Sequence, residues 1–238
     1  MLRALVSMEL KGMRLYKTFL LVNLFVMPFS LLFMMVMNSK TTDPLEISYL
    51  VSGFIIVSTV SSLIGTLTNR VSNIFEPSVL ELYATLPPRI SHVVLAQFIT
   101  YSLFVLPQVL GGIALIVHYL GIHSINYPLL FLALLLTFIE LGSLGVFIGA
   151  KIANPYKILA VTSILPWVLV VFSPAYYHSN FIGFLLNPVT HLLACVRCSL
   201  GLQAHCFISW GVSVVLSLLF LGLSIKTVHT TYMLEKPF

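Results

Sequence analysis

Charge is what this sequence lacks. Of 238 residues, 8% are charged, seven acids against twelve Lys and Arg. A water-soluble domain carries roughly 25%. So few charges cannot coat a surface facing water. With 59% hydrophobic residues and a mean hydropathy of +1.05, the bilayer is the expected solvent. Cysteine is scarce as well: Cys195, Cys198 and Cys206 are an odd set in a short stretch, which is not a disulfide framework. Cys195-x-x-Cys198 is a lone pair without further ligands at zinc spacing, so these read as small, weakly polar residues on a membrane-associated helix. There is no Gly-x-x-x-x-Gly-Lys-Ser/Thr loop and not one Gly-Lys dipeptide. A phosphate loop needs that lysine and a glycine-rich backbone cradle. The chain alone is therefore not expected to hydrolyse ATP, and no cofactor is expected in it. No repeat, linker or low-complexity segment divides it, so residues 1–238 read as one domain.

What is present is long apolar runs. A helix of about 20 apolar residues spans the hydrocarbon core, and backbone groups in lipid must be satisfied internally. The sequence predicts an all-α polytopic membrane protein with six transmembrane helices, at about 18–38, 47–69, 92–118, 129–150, 158–173 and 205–226. Six spans put Arg3, Lys11, Arg14, Lys17, Arg70, Arg89, Lys151, Lys157, Lys226 and Lys236 on one side. Only Lys40 and Arg197 are left on the other. Positive charge marks the cytoplasmic side, so both termini are expected there, in the cell membrane. The basic N-terminus is not followed by a short apolar core with a small-residue cleavage site, so no removable signal peptide is expected.

Three segments between spans stand out. Over residues 1–17, Arg3, Ser7, Lys11 and Arg14 recur at helical spacing, which predicts an amphipathic helix in the interface plane. Glu9 projects away from that stripe and needs a partner the sequence does not name. After span two, Pro77 suits the first turn of a short helix and Pro87-Pro88 ends it. The expected helix, Ser78–Thr85, would expose Val79, Leu80, Leu82 and Tyr83, either as a docking surface for a cytoplasmic partner, the favoured reading, or buried on the chain's own spans. Residues 174–204 are long and largely apolar. They suit short re-entrant helices between spans five and six, packed on the chain's own spans or on a second subunit.

The order of these parts resembles the type-2 ABC exporter permeases. The resemblance is carried by Glu81-Leu82-Tyr83-Ala84-Thr85-Leu86-Pro87-Pro88-Arg89, by Leu144-Gly145-Val146-Phe147-Ile148-Gly149-Ala150, by Phe172-Ser173-Pro174-Ala175-Tyr176-Tyr177, and by Asn187-Pro188-Val189-Thr190-His191 with Arg197. It covers essentially the whole chain. It departs from the family where the outer segment reads Ser-Pro-Ala-Tyr-Tyr-His rather than a small–aromatic–proline ending. The resemblance implies a permease that pairs with a second copy or a paralogue around a central pathway and recruits a cytoplasmic ABC ATPase subunit. ATP and Mg would be bound by that subunit. It implies a coupling helix at about Asn73–Thr85, with Glu76, Val79, Leu80, Glu81, Leu82 and Tyr83 as ATPase-docking residues. It also implies an outer gate made by Ser173, Pro174, Tyr176, Tyr177, Asn187, Pro188, His191 and Arg197. Arg197 would lie near the outer headgroups and reach water with its long side chain. No nucleic-acid partner is implied; membrane lipid is.

Other residues carry weaker signals. Glu140 sits near the middle of span four, where a carboxylate costs about 2.5–3.5 kcal/mol. It is either a functional contact or a protonated or hydrogen-bonded carboxyl facing another helix. Pro28, Pro107 and Pro166 fall inside spans and predict kinks, with Gln108 placed to satisfy the carbonyl that Pro107 frees. Span two is rich in Ser, Thr and Gly, including Ser52, Gly53, Ser58, Ser62 and Gly65, which suits close helix packing or a pathway lining. His118, His123, His178, His191 and His205 cluster at the outer side without a ligand spacing. Tyrosines near span ends read as interfacial anchors, with Tyr49 and Tyr101 the alternatives for a pathway. Cargo is not legible beyond an apolar and weakly polar pathway, which favours an amphiphile such as a drug, lipid, peptide or glycan. The rival readings are a non-transporting membrane anchor or assembly subunit, and a membrane-embedded enzyme, for which Glu140 is too isolated.

Overall fold

The computed structural model describes residues 2–12, 29, 33, 43–84, 89–121, 125–176, 182–204 and 206–235. Among these the regular elements are all helical. They are α1 (Leu2–Gly12), α2 (Pro44–Val60), a π-helical segment (Ser61–Leu67), α3 (Thr68–Ile74), α4 (Pro77–Ala84), α5 (Ile90–Leu120), α6 (Tyr127–Lys151), α7 (Pro155–Val171), a 3-10 turn (Ile182–Leu186), α8 (Pro188–Ser199) and α9 (Phe207–Glu235). The span expected over 18–38 lies outside the described residues apart from Phe29 and Phe33.

Four helices share one start signal. Asp43, Asn126, Asn154 and Asn187 stand at the N-caps of α2, α6, α7 and α8, each with a proline in the first turn. Each cap side chain accepts an N–H that has no intrahelical partner. Proline at the first helical position gives up an N–H that would have been idle. Asn154 takes two, from Tyr156 and Lys157, both at 3.1 Å.

The helices run past the boundaries expected from hydropathy. The span expected over 47–69 runs from Pro44 to Ile74 without a break, carrying Arg70 and the π segment within it. The last helix continues past the expected 226 to Glu235. Helix and hydrocarbon need not end together, and backbone hydrogen bonding carries both beyond their apolar stretches. Pro44–Ile74, α5, α6 and α9 are long and apolar enough to cross a membrane, as befits a membrane protein. Helix α7 has 17 residues, about 25 Å at ~1.5 Å per residue, short of a core about 30 Å thick. The outward side of α9 carries Phe207, Ile208, Val215, Leu218 and Ile225 exposed. Soluble monomers rarely leave such a continuous apolar stripe in water.

The Pro44–Ile74 helix is the centre of the packing, with α5, α6, α7 and α8 against it, while α9 packs chiefly on α6 and α1 on α5. Its middle is irregular. Over Ser61–Leu67 the helix widens, and the Thr68 hydroxyl donates to the Leu63 carbonyl at 3.3 Å, five residues back. Helix α6 approaches this place closely: a Cβ on Gly145 would fall on the Leu63 carbonyl and the Thr68 hydroxyl. On another side, the Pro166 ring of α7 lies against Gly65. π segments in α-helices concentrate at functional sites, and this one is braced by a glycine and a proline.

Two expectations need correction. Pro107 lies inside α5, but Gln108 does not satisfy the freed carbonyl; both polar atoms of its buried amide lack a partner among the described residues. Successive side chains are about 100° apart around a helix, so position 108 points away from the carbonyl of Leu103. In α1, Arg3, Ser7 and Lys11 are exposed as expected, but Leu5 and Glu9 are buried together, so the inward face is not purely apolar. Arg14 lies outside the described residues.

Replacing Gly145 by Val should prevent close contact of α6 with the π segment. In detergent the variant should melt well below wild type or fail to yield a monodisperse peak. Gly211→Ala, which meets nothing within 4 Å, should behave as wild type.

Candidate functional site

At the end of the bundle where α2, α6 and α9 begin, Arg197 is 2% exposed. It sits in the last turn of α8, where a cation suits the helix dipole. Its Nε donates to Ser52 Oγ at 3.0 Å, and one terminal nitrogen donates to the Pro174 carbonyl at 2.9 Å. The other donates to the carbonyls of Ala175 at 2.8 Å and Tyr49 at 3.4 Å. The guanidinium also lies over the Tyr49 ring, 3.3 Å from its centroid, a cation–π contact that desolvation strengthens. Among the described residues no carboxylate pairs with it. Burial pulls its pKa down to about 10, with Tyr49 opposing, so it remains a cation at neutral pH.

The expectation that Arg197 reaches water at the headgroups is therefore wrong. The side chain turns inward because residues 173–176 bring carbonyls with no helical partner to within its reach. Only a fork of five donors matches that geometry. Gly53 makes the approach possible: a Cβ there would collide with the Ala175 carbonyl. Tyr49 also donates its hydroxyl to the Pro174 carbonyl at 3.3 Å. Neither Tyr49 nor Ser52 is a bare anchor or lining residue; both hold the arginine.

Asn187 ties the same end together. Its oxygen accepts from Val189 N at 3.0 Å, capping α8. Its amide nitrogen donates to the carbonyls of Leu169 and Phe172 at 2.7 and 2.8 Å, closing the C-terminus of α7. Pro188 starts α8. His191 Nε2 donates to the Leu185 carbonyl at 2.9 Å, joining α8 to the 3-10 turn. Ser173 is buried and caps the same turn of α7 through the Val170 carbonyl. Tyr176 is half-buried, and burial raises its phenol above the ordinary value. Seven of the eight expected gate residues thus converge on one corner; the eighth, Tyr177, lies outside the described residues.

The opposite end holds the partner Glu9 called for. Glu9 is 4% exposed. It pairs with Arg70 of α3 at 3.3 Å and accepts from Gln97 of α5 at 3.4 Å. Tyr83 of α4 lies within the field of both charges. Burial raises the Tyr83 pKa, Glu9 adds to the rise and Arg70 opposes it. Helix α4 therefore stands beside a polar knot joining α1, α3 and α5.

That helix is also where an expectation fails. Leu80 is fully buried in the main core, and Val79 and Tyr83 are half-buried. Leu80 N donates to the Glu76 carbonyl at 2.8 Å in the first turn of α4. The exposed residues are Pro77, Ser78 and Glu81. Among the described side chains of α4 the exposed ones are polar or acidic apart from Pro77, and Leu80, expected on an exposed face, is buried. Nothing is described for the side chain of Leu82, nor for Thr85.

Glu140 of α6 is fully buried and faces α9, where Ser217 donates to it at 3.5 Å. Its other oxygen has no partner among the described residues. Cys195 Sγ lies 3.8 Å from Ser213 Oγ. Burial pushes the Cys195 and Cys206 thiols up to about 12. Among the described residues no group of three or more His, Cys, Asp or Glu comes together to hold a metal ion. In comparisons with known proteins, no family model matches the chain and no curated protein matches it.

Replacing Arg197 by Met should cost about 3 kcal/mol, because the Pro174 and Ala175 carbonyls are left buried and unpaired. Arg197→Lys should recover little of it, since an ammonium cannot span the same acceptors. Melting temperatures in detergent read both. If Arg197→Met melts with wild type, the guanidinium stands in water.

Proposed function

We propose that this chain is the permease subunit of an ATP-driven exporter of the type-2 ABC kind. It would form the pathway with a second copy or a paralogue and take its energy from a separate cytoplasmic ATPase. The observation that carries this reading is one helix with two polar ends. From Pro44 to Ile74 it runs from the Arg197 cluster, through the π segment, to the Glu9–Arg70 pair and the start of α4. A force on α4 has a continuous backbone along which to reach the segment that Arg197 holds closed. In this reading the Arg197 end faces outward, the termini and α4 face the cytoplasm, and the first predicted span completes six.

The mechanism follows from that layout. ATP binding in the partner subunits draws the two α4 helices together. The π segment and Pro166 give the bundle a place to bend. The carbonyls of 173–176 leave Arg197, and the outer path opens. Export of an amphiphile suits a bundle whose interior offers hydroxyls such as Ser58, Thr59 and Ser62.

A second reading is a membrane anchor or assembly subunit. The burial of Leu80 favours it, because the docking face is smaller than a coupling helix was expected to offer. Co-purification with a candidate cytoplasmic ABC ATPase separates the two. Glu81→Arg should abolish the complex and leave the melting temperature unchanged. Leu80→Asp should lower the melting temperature itself, because it puts a charge into the core. A chain that purifies alone, and whose Glu81→Arg variant changes nothing, supports the anchor.

A further inference from the structure

Helix α9 is exposed along most of its length, and its inner side is a stripe of small polar residues. Ser213, Ser217 and Ser224 are buried there, while Val215, Leu218 and Ile225 face out. Lipid offers no hydrophobic drive between helices, so packing and polar contacts decide whether such a helix stays docked. The polar contacts described between α9 and its neighbours are Ser213 Oγ with Cys195 Sγ of α8 at 3.8 Å, Thr231 Oγ1 donating to the Ala150 carbonyl of α6 at 3.1 Å, and Ser217 with Glu140. Only the last holds a carboxyl. Glu140 is 0% exposed. Its Ser217 contact is 3.5 Å long, whereas a hydroxyl donating to an ionised carboxylate closes to about 2.5–2.7 Å. Oε1 has no partner among the described residues. The hydroxyls beside it on α6 are engaged elsewhere: Ser143 donates to the Glu140 carbonyl at 3.1 Å and Thr137 to that of Ala133 at 2.8 Å. The charged groups of the surrounding helices are engaged or distant. Cys195 of α8 meets Ser213, one turn from Ser217. Arg197 lies two residues on, about 200° around α8, and is bonded at the corner. Phe98 of α5 lies against Gly142, which puts the Tyr101 phenol near this level. The π-bearing helix brings the hydroxyls of Ser58, Thr59 and Ser62, and Arg70 of α3 is taken by Glu9. On α9, Lys226 and His229 lie about 13 Å or more beyond Ser217 along the axis.

We propose that Glu140 is a proton-binding site in the α6–α9 interface: the carboxyl holds a proton while α9 is docked, and its ionisation releases α9 from α6. A carboxylate with no cation and one long hydrogen bond is among the costliest groups to bury, and a neutral acid is not. The acid keeps the Ser217 contact, which can run in either direction because a hydroxyl both donates and accepts. When α9 moves off, water reaches the carboxyl, takes the proton and solvates the charge. When α9 returns, the proton returns first. Acid therefore favours the docked state and alkali the released one. Cys195, fully buried behind α9 at Ser213, is uncovered in the released state. The site is built from α6, α8 and α9 and does not depend on the exporter reading.

Infrared spectra of the full-length chain in liposomes at neutral pH test the proton. Glu140→Gln should remove a protonated-acid carbonyl band and leave the carboxylate bands unchanged. Loss of a carboxylate band instead would overturn the proposal. Wild type alone gives a second reading. The lipophilic reagent dicyclohexylcarbodiimide adds to neutral acids, so it should modify Glu140 and spare the exposed Glu81, as read by peptide mass spectrometry. No adduct on Glu140 would equally overturn the proposal. The release is read at Cys195, with Cys198→Ser and Cys206→Ser leaving it the one thiol of the chain. N-ethylmaleimide should label it severalfold faster at alkaline pH with Glu140 in place than with Glu140→Gln, whose amide cannot ionise. Comparing the two chains at one pH cancels the thiol's own titration. Equal rates in both at alkaline pH would overturn the release of α9.

Discussion

A buried guanidinium that pairs with no carboxylate among the described residues governs one end of this molecule. Removing Arg197 from water costs several kcal/mol, and what offsets that cost is backbone. The carbonyls of Tyr49, Pro174 and Ala175 are brought to it by two separate stretches of chain, helix α2 and the turn after α7. Helix α7 stops short, so its last carbonyls and those of the turn beyond it need donors. Asn187 supplies two and Arg197 two more. Gly53 lets the turn sit against α2. The arrangement is all or nothing. A partly satisfied set of buried carbonyls costs more than a fully bonded one, which is what the proposed closure of this corner would draw on.

The other end is built from opposite materials. There a carboxylate is buried and its cation half-exposed, 3.3 Å apart. Exposed ion pairs contribute little, but this one fixes where α1 lies on α5 and where α3 hands over to α4. Between the two ends, the π segment interrupts a helix that would otherwise be a stiff rod. Gly145 and Pro166 press on it from α6 and α7. The bundle thus has one continuous helix between its polar ends, irregular in its middle.

Much of this was legible in the sequence. Low charge and the apolar runs marked the helices, and the polar character of the 187–197 stretch marked the corner that proved most tightly bonded. Glu9 was recognised as needing a partner, but nothing local names Arg70 or Gln97, which lie 61 and 88 residues away. Arg197 was misplaced for a related reason. An arginine in an apolar outer segment is expected to seek water, and only the folded chain reveals the carbonyls waiting for it. Leu80 was misjudged because a short helix of alternating character does not tell which face it buries. The boundary errors were avoidable. Asp43-Pro44, Asn154-Pro155 and Asn187-Pro188 are helix starts that could have been read directly, and they set the ends of helices more sharply than hydropathy does.

The central claim is that the Arg197 corner is a closure driven from the far end. Its most direct test is an accessibility measurement at Ala175, whose side chain is buried and whose carbonyl stays free to accept from Arg197 when the residue is changed. With the native cysteines replaced by Ser, Ala175→Cys is reconstituted with the ATPase in vesicles and exposed to an impermeant maleimide on the outer side. The account predicts protection at rest and labelling at least about tenfold faster once ATP is bound and its hydrolysis trapped, about 1.4 kcal/mol in the open–closed balance. A labelling rate that is the same with and without nucleotide would contradict it.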